Sequence, residues 1–160
     1  MTREVHACPA QPGAPATRRT ILVVDDDRDS VDLLCAILES HGYTALPAHS
    51  GAEALRHIAE QVPDLILLDV MMPQMSGLQV LEHLRRGPRT ARIPTILITA
   101  KRQDDDVILG YRLGADYYIT KPCTASQLLY GLDLLLAARR GAAAPSTPSG
   151  RASPRRAGGG

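Results

Sequence analysis

Three short apolar runs punctuate the chain: TILVV (residues 20–24), DLILL (64–68) and TILIT (95–99). Each is almost unbroken by polar residues and rich in branched side chains, the pattern of strands buried on both faces. Between them the apolar period changes. Val31, Leu34, Cys35 and Leu38 recur at helical spacing, and the Gly42 that follows His41 suits a helix C-terminus. Helical spacing also links Ala52, Leu55, Ala59 and Val62, then Gly77, Val80, Leu81 and Leu84, and finally Leu128, Leu132, Leu135 and Leu136. The stretch from Asp104 to Leu113 is the poorest helix, because its periodicity is weak. With YTALPAH (43–49) and YYIT (117–120) as further strands, five strands alternate with five helices. That alternation predicts an α/β fold with a parallel sheet covered on both sides.

Strand order follows from the exceptions. Pro47 cannot donate to a ladder, so its strand belongs on an edge. YYIT is the most polar strand and suits the other edge, leaving the three continuous runs for the centre. Right-handed crossovers then give the order 2-1-3-4-5, a doubly wound, flavodoxin-like (βα)5 sheet. In such sheets the site lies beyond the carboxyl ends of the strands where the order reverses, here between the first and third.

Composition narrows the setting. With 160 residues and neither Phe nor Trp, the chain forms one domain with an aliphatic core. No run approaches the length of a membrane span, and residues 1–19 lack the apolar segment of a secretory signal. Cys8, Cys35 and Cys123 are odd in number and far apart, which argues against a disulfide framework and for a reducing compartment. A cytoplasmic protein without membrane association is expected. The net charge of +1 conceals a segregation, with the middle of the chain acidic and both ends basic. Residues 141–160 contain only Gly, Ala, Pro, Ser, Thr and Arg, too little apolar surface to offset the entropy of ordering. The expected organisation is a disordered extension over 1–19, a folded unit over 20–139 and a disordered tail over 140–160.

The candidate chemistry gathers at the strand ends. The first strand runs into Asp25, Asp26 and Asp27, the third into Asp69, the fourth ends with Thr99, and the fifth is followed by Lys121-Pro122. Unit charges 4 Å apart repel by roughly 4 kcal/mol at an effective dielectric near 20, so three clustered acids call for a cation. A hard divalent ion with oxygen ligands fits, Mg²⁺ first and Mn²⁺ as an alternative. Asp25, Asp26 and Asp69 against Lys121 and such an ion sum to zero, a balance suited to receiving an anionic phosphoryl group.

Taken together, VVDDD, LLDVMMPQMSG, ITA and TKP resemble the receiver domain of bacterial two-component response regulators, over essentially all of residues 20–139. The resemblance implies that Asp69 is the phosphoacceptor, supplied by a sensor histidine kinase or histidine phosphotransfer protein. It implies Asp26, Asp69 and the backbone carbonyl of Met71 as direct metal ligands, with Asp25 acting through water. Lys121 would bind a phosphoryl oxygen, beside a peptide bond to Pro122 that is usually cis. Thr99 would bind another phosphoryl oxygen while Tyr118 swings inward. Phosphorylation adds charge that biases a two-state element, and the surface expected to respond is the fourth helix, fifth strand and fifth helix, where a downstream protein or a weak homodimer partner would bind.

Other residues read more plainly. Asp27 and Asp29 suit a helix start, Gly77 a backbone device beside the site, and Met71, Met72 and Met75 loop packing. Cys123 stands where Phe is common in the family and is expected as a small buried filler. Met71 and Lys101, two residues beyond Asp69 and Thr99, cannot align water as an acid or amide would, which predicts a long-lived phosphorylated form. Residues 140–160 are too short and polar for a DNA-reading domain, so no specific DNA binding is expected. Three other classes compete: a phosphatase with an aspartyl-phosphate intermediate, whose motif the acids after Asp25 do not match; a receiver that binds partners without phosphorylation; and a module of a longer regulator.

Overall fold

The computed structural model describes residues 18–100 and 104–143. Residues 1–17 of the expected extension, Lys101 and the tail from residue 144 onward lie outside the described residues. Strands and helices alternate without exception: β1 Thr20–Val24, α1 Arg28–Ser40, β2 Thr44–Ala48, α2 Gly51–Glu60, β3 Leu65–Asp69, α3 Gly77–Arg86, β4 Thr95–Thr99, α4 Asp104–Arg112, β5 Tyr117–Thr120 and α5 Ala125–Ala143. All four strand pairings are parallel, and the order is β2-β1-β3-β4-β5. Pro47 lies on the edge strand, opposite Val23. The flavodoxin-like prediction holds.

The pleat sorts the core into two layers. Ile21, Val23, Leu65, Leu67, Ile96 and Ile98 pack with α1 and α5, while Leu22, Val24, Ile66, Leu68 and Leu97 pack with α2 and α3. Every one of these side chains is essentially sealed from water. Central strands buried on both faces therefore need continuous apolar runs rather than alternation, which is what the sequence displays.

Local starts and stops follow the side-chain chemistry. Ser50 and Ser76 each accept a hydrogen bond from the backbone three residues on, and Gln79 completes a capping box by accepting from the Ser76 N–H at 2.9 Å. Gly42 adopts φ +91° just past α1, the left-handed turn expected there. Asp27 occupies the N-cap position of α1, but its carboxylate caps no backbone N–H; it accepts from the Ser30 hydroxyl at 2.8 Å.

Three expectations need correction. The buried face of α2 is Gly51, Ala54 and Ile58, whereas Ala52 and Ala59 are exposed and Val62 lies beyond the helix. Alanines carry little apolar area, so the bulk of Ile58 decides which way the helix turns. β2 is shorter by one residue at each end than the run YTALPAH. α5 continues to Ala143, past the expected boundary at 139.

The far end of the sheet is fastened by a side chain the sequence did not single out. Arg85, at the end of α3, donates to the carbonyls of Ile93 (3.0 Å) and Gly114 (2.8 Å) and pairs with Asp116 at 3.3 Å. Gly114 has φ +103°, and a Cβ there would meet the Arg85 guanidinium. Arg85 thus ties α3 to the entries of β4 and β5, opposite the acidic rim.

Candidate functional site

The strand ends bring the acids together. One carboxylate oxygen from each of Asp25, Asp26 and Asp69 lies within 4.8 Å of the others. Asp25 and Asp69 are buried, at 2% and 5% exposure, while Asp26 faces solvent and leaves a way in. Asp25 is held from below: its Oδ1 accepts from the Asp27 N–H at 2.9 Å, and its own N–H donates to the Ala48 carbonyl at 3.1 Å. Lys121 reaches across from the end of β5, with Nζ 2.6 Å from Asp25 Oδ2 and 3.8 Å from Asp69 Oδ1. Its peptide bond to Pro122 is cis.

The electrostatics follow from crowding. Burial first, and the Asp25 charge second, push the Asp69 carboxyl up from 3.8 to about 7, with Lys121 pulling the other way. Burial would lower the Lys121 ammonium, but its hydrogen bond to Asp25 and the charges of Asp69 and Asp25 outweigh that, so its pKa lies above the usual lysine value. The set holds more negative than positive charge. Its donors are all carboxylate oxygens, which suits a hard divalent cation such as Mg²⁺ rather than a softer metal seeking nitrogen or sulfur.

Gly77 explains itself by contact. A Cβ on it would run into the backbone carbonyl of Asp69 and stand 2.9 Å from the Val70 Cα. The Gly77 N–H in turn donates to the Val70 carbonyl at 2.9 Å, fastening the loop against the strand end. Close approach, not an unusual backbone angle, demands glycine here.

The remaining candidates occupy the same rim. Thr99 closes β4 and is 1% exposed. Leu97 pairs in register with Tyr118, so alternation sets Thr99 and Tyr118 on one face of neighbouring strands. The Tyr118 ring packs at 6.3 Å from that of Tyr111 on α4. Met71 lies two residues past Asp69 with its side chain exposed, Met72 is buried in the core and Met75 packs against it. Cys123 departs from expectation: it is only partly buried, and it lines an open cleft beside Lys121.

A family model for the response regulator receiver domain matches residues 21–133. The chain belongs to that family. Among curated relatives, this receiver is 37% identical over 117 residues to Protein PilH of Pseudomonas aeruginosa, covering 73% of this chain and 97% of PilH. It is 40% identical over 111 residues to the phosphate regulon transcriptional regulatory protein PhoB of Escherichia coli, covering 69% of this chain and 48% of that protein. The receiver thus spans about half the length of PhoB. Among solved structures, it resembles a CheY-like receiver domain protein from Methanospirillum hungatei, with TM-score 0.75, 28% identity and coverage of 79% and 99% of the two chains. The chemotaxis protein CheY4 of Vibrio cholerae matches with TM-score 0.71 and 26% identity, over 74% of this chain and 98% of CheY4. Among the described residues no helix is long and apolar enough to cross a membrane.

Proposed function

We propose that this receiver is a cytoplasmic phosphorylation switch, in which Asp69 takes a phosphoryl group from a sensor histidine kinase or histidine phosphotransfer protein. The observation that carries the reading is the convergence of Asp25, Asp26 and Asp69 within 4.8 Å, with Lys121 Nζ 3.8 Å from Asp69. The site's own residues divide the work. Asp26, Asp69 and the Met71 carbonyl would hold Mg²⁺ directly and Asp25 through water, and the ion would supply charge neutralisation to the transferring phosphoryl group. Asp69 supplies the attacking oxygen. Lys121 offers a cation to one phosphoryl oxygen, and the Thr99 hydroxyl donates to another. Proton transfer plays little part, because a carboxylate attacking phosphohistidine needs positioning and charge stabilisation more than acid–base help.

The switch then acts through contact. The phosphoryl group adds charge at a nearly sealed position, drawing Thr99 toward the rim and making room for Tyr118. The responding surface is α4, β5 and α5, where a downstream protein binds; the receiver turns over no substrate beyond its own phosphorylation and dephosphorylation. Intact mass after incubation with acetyl phosphate and Mg²⁺ tests this reading. One phosphoryl adduct in the wild type and none in Asp69→Ala is expected; equal labelling of both, or none in either, defeats it.

A further inference from the structure

Next to the acidic rim, between α1 and the start of α5, lies an open cleft of about 490 Å³, a size that accommodates a small organic group. Its walls are Leu33, Leu34, Pro122 and Cys123, with Ser30 and Ala100 at the margins and Lys121 shared with the acceptor site. Leu33 is 59% exposed on a helix whose other large apolar residues turn inward. The Ser30 hydroxyl is already committed to Asp27, and burial pushes the Cys123 thiol up, keeping it neutral. The concavity is therefore apolar except at the Lys121 end. A phenylalanine at position 123 would fill much of it.

We propose that this cleft is a leaving-group subsite, which seats the bulky apolar acyl portion of an acyl phosphate while its phosphoryl group lies against Lys121 and Asp69. The inference rests on Asp69 being the phosphoacceptor. The argument for the occupant is continuity: Lys121 belongs to both the cleft and the acceptor site, so a donor engaging the ammonium has its leaving group within reach of Leu33 and Cys123. The Asp69 carboxylate oxygen bonds to phosphorus while the bond from phosphorus to the acyl oxygen breaks, and the electron pair departs with the released carboxylate. No oxidant, reductant or other reactant is consumed. An aromatic acyl group in the cleft removes apolar surface from water that an acetyl group cannot cover.

Acetyl phosphate and benzoyl phosphate separate the effects, because acetate and benzoate are leaving groups of similar basicity. Second-order rate constants for phosphorylation of the full chain, read by intact mass at one Mg²⁺ concentration, are expected to favour benzoyl phosphate by on the order of fivefold to tenfold. Cys123→Phe should bring that ratio to about one, and Leu33→Ser should lower it part-way. A wild-type ratio near one overturns the subsite, as does a ratio that neither substitution changes. Adducts from both donors with no preference defeat the subsite alone; no adduct from either defeats the phosphoacceptor reading with it.

Discussion

The Lys121 ammonium is bound more tightly to Asp25 than to Asp69: Nζ stands 2.6 Å from one carboxylate and 3.8 Å from the other. Lys121 is thus already engaged with both acids, and on the proposed reading an arriving phosphoryl group would give it a further anion to serve. Lys121→Ala removes the only cation that touches these two acids among the described residues. Phosphorylation by acetyl phosphate should slow by about 10²-fold, the scale seen when one donor to a developing charge is lost. Stopped time courses read by mass check this; a rate within twofold of wild type contradicts the role.

Asp69 makes stability depend on pH in a stated direction. Its carboxyl rises from 3.8 to about 7 in the folded chain, so the folded state binds the proton more tightly than the unfolded one. The associated stability is fully present below pH 4 and is lost as pH rises through about 7. Asp69→Asn keeps the shape without the charge, so in metal-free buffer its gain in stability over wild type should grow by about 2 kcal/mol between pH 5 and pH 8. Denaturant midpoints at the two pH values measure it. Mg²⁺ should narrow the gap at pH 8 by stabilising the wild type alone.

Gly77→Ala should be the most damaging small substitution near the site. The added methyl meets backbone, the carbonyl of Asp69 and the Cα of Val70, and backbone cannot step aside as a flexible side chain can. A loss of roughly 2 kcal/mol or more is expected, together with slower phosphorylation because Asp69 itself is displaced. Gly42→Ala offers the control: there a Cβ meets nothing within 4 Å, and the cost comes from backbone angle alone. That variant should lose stability without losing phosphorylation rate per folded molecule.

Arg85 predicts a different signature. Its guanidinium is half-buried against Asp116 and two carbonyls at the end of the sheet away from the acids. Arg85→Ala removes a shared donor, while Thr95 still donates to the Ile93 carbonyl and to Asp116, and should cost about 1–2 kcal/mol. Arg85→Lys should recover little, since an ammonium cannot reproduce the planar fork. Phosphorylation rate should hardly change, and the faster hydrogen exchange should appear at the entries of β4 and β5.

The side chain of Met71 is 56% exposed two residues past Asp69, and it offers no group to align water. The phosphorylated form should therefore persist for minutes or longer after the donor is removed, and Met71→Asn should shorten it. Decay followed by intact mass settles the matter; a wild-type lifetime of seconds excludes it.

Much of this architecture was legible in the chain because burial and edge chemistry leave strong marks. Pro47 announced an edge strand, and the three unbroken apolar runs announced the centre. The acids, Thr99 and Lys121 could be grouped once the strand order was known. What stayed hidden depends on distance between remote segments. Nothing in the sequence says that Lys121 prefers Asp25, that the Arg85 fork reaches Gly114 and Asp116, or that Cys123 leaves a cleft open. The face of α2 was misjudged where alanines blur the pattern, and Val62 was counted in although Pro63 next to it disfavours helix there.

The corrugation of the central strands has one last implication. Asp69 extends the file of Leu65 and Leu67, whereas Thr99 extends that of Leu97, so the two stand on opposite files of adjoining strands. On the proposed reading, a phosphoryl group at Asp69 would be a rivet through the fabric, gripped from the α1–α5 layer by Lys121 and from the α4 layer by Thr99. A chemical event received on one side of the sheet would become tension on the other.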